Sequence, residues 1–377
     1  LKGSIAMTVK SEFSELDATS MGKLLKQKEV SSIELVDDAI ARCEQVNGVL
    51  NAVVTTMFEH ARDKARQPLG DGVFSGVPFL MKDFAAEVAG VPFYEGSRFL
   101  EGYVPTMDSE IYKRFTSAGL ITIGKTNLPE LAIGVTTEPK KFGATRNPWN
   151  LNRTPGGSSG GSGAAVAAGI VPMAHGNDVG GSIRIPASAC GLVGLKPTRG
   201  RSTLAPHYGD LLAGFFVEHG LTKTVRDSAL LLDVISGPGV GDPYCAPPPK
   251  QPYFEEVGKD PGILRIGYSV KTPLGDPLSD ECVDAISSTV KICEDLGCIV
   301  EEAAPSFDAL ALWTNFTTLL ASAVSWALSD WSRRLGRDLS SDYFEEFVWA
   351  FAQRGFSLSA SDYLLAMQDV QAQVRSL

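Results

Sequence analysis

From Glu15 to about Arg66 the chain is patterned for helices. The clearest case is IELVDDAIARCEQV, beginning at Ile33, in which apolar residues recur every three to four positions. Ser31 and Ser32 stand just ahead of it and supply an N-cap. Three short apolar runs follow a different rhythm. GVPFLMKDF (Gly76 to Phe84), ITIGKTNL (Ile121 to Leu128) and IVPMAHGND (Ile170 to Asp178) each read as a short buried strand running into a loop. The helical pattern EIYKRFTSAG precedes the second of them. Further on, ILRIGYSV restarts a strand, and Ala309 to Leu377 is mostly helical. Strands alternating with helices predict an α/β fold with a largely parallel or mixed sheet.

One connection interrupts this order. GPGVGDPYCAPPPKQPYFEEVGKDPG, from Gly237 to Gly262, is rich in proline and glycine. Because the strand–helix alternation resumes beyond it, we expect a long surface crossing within a single domain over residues 7–377. Leu1 to Ala6, ahead of Met7, are read as vector-derived and set aside.

Composition narrows the function. The chain has 377 residues, 44% of them hydrophobic, enough for a large core. Its formal net charge of -10 argues against a uniformly basic nucleic-acid face. No apolar run reaches the roughly 18 residues of a membrane span. The stretch Ala164 to Ala174 comes nearest and is broken by Gly169 and Pro172. No signal-peptide pattern shows, and the six cysteines form no C-x-x-C pair. They are expected to be mostly buried thiols of a cytoplasmic protein. The four histidines have no metal-ligand spacing, so neither a metal nor a cofactor is expected.

The candidate chemistry centres on NPWNLNRTPGGSSGGSGAAVAAG, Asn147 to Gly169. It is no phosphate loop, since no lysine follows its glycines, and no dinucleotide fingerprint, since Val166 stands at the closing position. Ala164 to Ala168 are helix formers, which argues against a linker. Gly157-Ser158-Ser159-Gly160-Gly161 matches the G-x-S-x-G elbow, with Ser159 as nucleophile and His175, His207 or His219 as base. NLNRTP is not the apolar strand that an elbow requires. A second reading uses HGNDVGGSIRIPASACG, from His175. There Ser182 follows Val179-Gly180-Gly181, small residues whose N–H groups can converge on a developing oxyanion. A serine needs a base, and Lys82, at the end of an apolar segment, is a lysine that burial can keep neutral.

GGSSGGSGAAVAAG, GGSIRIPAS and GLVGLKPTRG, together with P-x-x-x-K-D at Pro78 to Asp83, resemble the amidase signature family over nearly the whole chain, most strongly over residues 76–201. The resemblance implies a mixed β-sheet core flanked by helices on both faces. It also implies a Ser–cis-Ser–Lys triad. Carried over, Ser182 is the acyl-ester nucleophile, Ser158 the bridging serine on a cis peptide, and Lys82 the ultimate base. Val179, Gly180, Gly181 and Ser182 form the oxyanion hole, and Ser159, Asp178 and Arg184 support it. Ala132, Ile133 and Gly134 line the acyl side of the pocket. GATRNPWNL, HGND and KPTRGR look most like the stand-alone bacterial amidases, nearest to those that hydrolyse cyclic aminohexanoate dimers, with relatives acting on aryl amides and urethanes. The implied partner is a small amide, with no nucleic acid or membrane, and the implied state a monomer or homodimer. The alternative within the family is the amidase subunit of a glutamyl-tRNA amidotransferase. Two departures stand out. Asn177 replaces a usual Ser or Thr, and the chain ends short of a usual member, whose C-terminal part supplies further strands and pocket residues.

Overall fold

A computed structural model describes Met7 and residues 10–377; Leu1 to Ala6 lie outside them. The described chain divides into two compact units, one running to Val257 and including Ala327–Ala350, the other comprising Gly258–Trp326 and Phe351–Leu377. The first boundary falls within the proline- and glycine-rich connection, and the other two fall at residues 326/327 and 350/351.

The first unit is built on a six-stranded mixed sheet. Its strands are β1 (Val53–Thr56), β2 (Pro78–Lys82), β3 (Ile121–Thr126), β4 (Met173–Asp178), β5 (Val193–Gly194) and β6 (Val217–Thr222). Their order is β1-β3-β2-β4-β6-β5. β2 runs parallel to both β3 and β4, while β1 and β6 are antiparallel to their neighbours β3 and β4. β2, β3, β4 and β6 are buried along their whole length, as strands covered on both faces must be. The side-chain alternation of β2 divides the core. Leu80 packs with residues of α2 (Ser32–Leu50) and α5 (Gly160–Ala167). Phe79 and Met81 pack with residues of α1 (Ala18–Gln27), α4 (Glu110–Ser117) and α7 (Val225–Ile235) on the other face.

Local signals set several of these elements. Ser31 caps α2 through a full capping box, its hydroxyl taking the Glu34 N–H while Glu34 takes the Ser31 N–H at 2.8 Å. The starts of α1 and α7 hold each other. Asp227 accepts the N–H groups of Ala18 and Thr19 at 2.7 and 2.9 Å. Asp17, the N-cap of α1, is gripped by Arg226 at 2.6 and 2.7 Å. Within the helix-rich Glu15–Arg66 segment the structure also places β1, which helical periodicity did not announce. Asn51 ends α2 in the left-handed region (φ 52°), and the β-branched run that follows pairs with β3.

In the second unit, β7 (Arg265–Tyr268) and β8 (Ile299–Glu302) pair in parallel, with α8 (Asp280–Asp295) as their crossover. An ion pair joins Arg265 to Glu301 across them at 3.0 Å. The predicted C-terminal helices are α9 (Ala309–Leu335) and α10 (Glu346–Ser357), each divided between the two units, and α11 (Ala360–Ser376), which belongs to the second. No helix among the described residues is long and apolar enough to cross a membrane.

Candidate active site

Lys82 is the last residue of β2, and its side chain is fully buried. Its Nζ lies 2.7 Å from Ser158 Oγ and 2.6 Å from Asn177 Oδ1. The Phe84 ring stands 5.7 Å from the same nitrogen. Burial pushes the Lys82 amine down to about 7, and the carboxylates of Glu218, Asp178 and Glu95 oppose that shift without cancelling it.

The serine-rich stretch sits on backbone that tolerates no bulk. The Gly157–Ser158 peptide is cis. A Cβ on Gly157 would meet the Thr136 carbonyl oxygen at 2.6 Å and that of Gly134 at 2.9 Å. The loop holding Ala132, Ile133 and Gly134 therefore borders the Ser158 segment. It leaves the short 3-10 helix Glu130–Ala132 with Leu131 and Ala132 both at positive φ. Ser158 and Ser159 are fully buried, whereas Ser182 is partly open to solvent. Ser159 joins the two glycine-rich loops, its N–H donating to Ser182 O at 3.1 Å and its hydroxyl to Asn177 O at 3.3 Å.

Asp178 organises the turn that carries Ser182. Its carboxylate accepts the N–H groups of Gly181 at 2.8 Å and Ile183 at 3.0 Å, and the guanidinium of Arg184 at 2.8 and 3.0 Å. Burial works to raise this carboxyl, but Arg184 and the backbone donors outweigh it and hold it below its ordinary value. Gly181 has φ +126°, and a Cβ there would strike Ile185 Cδ1 at 2.6 Å, so only glycine fits. Of the predicted oxyanion donors, Gly181 spends its N–H on Asp178. Those of Val179, Gly180 and Ser182 have no acceptor among the described residues.

The three histidines that an elbow at Ser159 would need are engaged elsewhere. His175 contacts the Lys82 N–H and Glu218, and His207 lies 3.2 Å from Glu87. His219 sits between the carbonyls of Gly220 and Ser228. The cysteine expectation needs correction: only Cys43 and Cys190 are buried, while Cys293 and Cys298 are half-buried and Cys245 and Cys282 are exposed. Sequence reasoning gave no role to Asn177, although it stood out as a departure at its position, and offered His175 only as a base for Ser159.

The amidase family profile matches residues 34–376. The chain belongs to the amidase signature family. It is 39% identical over 361 residues to the 6-aminohexanoate-cyclic-dimer hydrolase of Paenarthrobacter ureafaciens, covering 94% of this chain and 73% of that one. A solved 6-aminohexanoate cyclic dimer hydrolase in complex with substrate superposes with a TM-score of 0.93 at 38% identity, over 97% of this chain and 77% of that one. A bacterial aryl acylamidase superposes at 0.87 with 29% identity, over 95% and 76%. A glutamyl-tRNA(Gln) amidotransferase subunit from Thermotoga maritima follows at 0.72 with 28% identity, over 98% and 76%. The family membership makes this chain an amide hydrolase with the mixed α/β fold expected of it.

Proposed function

We propose that this amidase cleaves the carbon–nitrogen bond of small or oligomeric amides through an acyl-enzyme on Ser182, with Ser158 as proton bridge and Lys82 as base. The single observation that carries the reading is the fully buried Lys82 amine, 2.7 Å from the Ser158 hydroxyl and near neutrality in its proton affinity.

The geometry supports a defined sequence. A neutral Nζ donates an N–H to Asn177 Oδ1 and keeps its lone pair for the Ser158 proton. As Ser158 Oγ gives up that proton it accepts the one from Ser182 Oγ. Ser182 Oγ then bonds to the amide carbon, and the carbonyl electron pair becomes an oxyanion facing the N–H groups of Val179, Gly180 and Ser182. Collapse re-forms the carbonyl and breaks the C–N bond. The departing nitrogen takes a proton from Ser158, which is resupplied by Lys82. Water repeats the path against the ester, releasing the acid and restoring Ser182.

Cyclic and linear aminohexanoate oligomers are the first substrates to try, since the named hydrolase shares 39% of its residues over 361 positions. Aryl amides and carbamates come next. Membership of a tRNA-dependent amidotransferase is the weaker reading, because the structural likeness to that enzyme's amidase component is lower. The test is turnover of this panel by the wild type and by Ser182→Ala, Ser158→Ala, Lys82→Ala and Ser159→Ala. The first three are expected to lose at least about a hundredfold in kcat/KM, and Ser159→Ala much less. Activity kept in Ser182→Ala and lost in Ser159→Ala contradicts the proposal.

A further inference from the structure

His175 is the one histidine that touches the lysine segment, and it does so through the backbone. Its Nδ1 lies 3.2 Å from the Lys82 N–H, and its Nε2 lies 2.8 Å from Glu218 Oε2. A ring nitrogen that accepts an N–H bears no proton, so this geometry puts the imidazole proton on Nε2, donated to Glu218. His175 and Lys82 are fully buried and Glu218 is 2% exposed.

The sheet explains why an imidazole is needed there. β2 and β4 pair at a single register position, Leu80 with Ala174. Two residues later the Lys82 N–H finds the His175 ring where a ladder carbonyl of β4 would otherwise be. Glu218 of β6 is paired with Asn177, and Gly220 with His175, so Glu218 and His175 are diagonal neighbours on one face of the sheet. The Phe115 ring closes on His175 edge-to-face at 5.6 Å. Ser202 Oγ accepts the backbone N–H of Glu218 at 3.0 Å.

We infer that His175 and Glu218 form a positioning pair for Lys82, in which the imidazole pins the lysine backbone at the end of β2 and the Glu218 carboxylate fixes the imidazole from behind. The inference rests on the reading of Lys82 as base. Three carboxylates act on that amine: Glu218 from β6, Asp178 from β4, and Glu95 from the loop between β2 and α4. Glu218 has the largest effect of the three, and all oppose the larger effect of burial.

The experiment measures kcat and KM against pH in the full chain for Glu218→Gln, His175→Gln and His175→Leu, beside Lys82→Arg and the wild type. Glu218→Gln keeps an acceptor for the imidazole N–H but removes the charge. The acid limb of its kcat/KM profile is expected to move to lower pH by about half to one unit, because Lys82 then holds its proton less tightly. His175→Leu leaves the Lys82 N–H unpaired and is expected to lower kcat about tenfold to a hundredfold with KM nearly unchanged, since the base is displaced by fractions of an ångström. His175→Gln, whose side-chain carbonyl can accept that N–H, is expected to recover part of the loss. An unmoved limb in Glu218→Gln, or His175→Gln no better than His175→Leu, overturns the inference; if His175→Leu does not fold, the Glu218→Gln limb decides. Lys82→Arg separates the two levels. Activity retained there removes the base reading itself, whereas an inactive Lys82→Arg with an unmoved Glu218→Gln limb removes only the positioning pair.

Discussion

A lysine enclosed at the end of a buried strand, with one amide oxygen and one hydroxyl as its near neighbours, is removed from bulk solvent, which disfavours its charged form. This fixes the direction of the pH response. The amine is pushed down to about 7, so its neutral, proton-accepting form predominates above that pH and is lost as pH falls through it. The kcat/KM profile is therefore expected to rise toward alkaline pH, losing about tenfold for each unit below its limb. A rate that falls steadily above neutrality contradicts a neutral-lysine base. The candidate residues were legible because their spacing and glycine context are distinctive, and the structure brings Lys82 to Ser158 and Ser159 to the Ser182 loop. The contacts of Asn177 and His175 with Lys82 were not legible. A hydrogen bond to an amine or to a backbone N–H depends on which strands adjoin, and one-dimensional patterning does not carry that information.

At the scale of elements, Asp227 links the start of α7 to the start of α1. Asp227→Ala removes the acceptor for two backbone N–H groups and the Thr19 hydroxyl. The expected cost is about 1–3 kcal/mol of stability, read as a lower Tm, with turnover preserved below the transition. An unchanged Tm would show that water replaces the carboxylate without loss. The strands of β2, β3 and β4 were legible as short apolar runs, and α2 by its serine cap. β1, β5 and β6 were not. β1 and β5 have only four and two residues, and β6, Val217–Thr222, intersperses Glu218 and His219 among its apolar positions. Tertiary burial of those polar groups, by pairing them with other buried side chains and with backbone carbonyls, overrode the local signal.

At the scale of the whole molecule, the sheet delivers its chemistry to one place. β2 contributes Lys82 at its C-terminal end, and β4 contributes Asn177 and Asp178 at its own. Because the two strands are parallel, these ends lie together, where the glycine-rich loops leading to α5 and following β4 can meet. The fold class was readable from strand–helix alternation, whereas the chain's division into two compact units was not, since the same alternation continues across the boundary. The central claim is that Ser182 carries the acyl group. It is tested most directly by mapping, through peptide mass spectrometry, where a fluorophosphonate attaches to the full chain. One adduct is expected, on the peptide bearing Ser182, absent from Ser182→Ala and retained in Ser159→Ala. An adduct on Ser159, or undiminished amide turnover in Ser182→Ala, would contradict the claim.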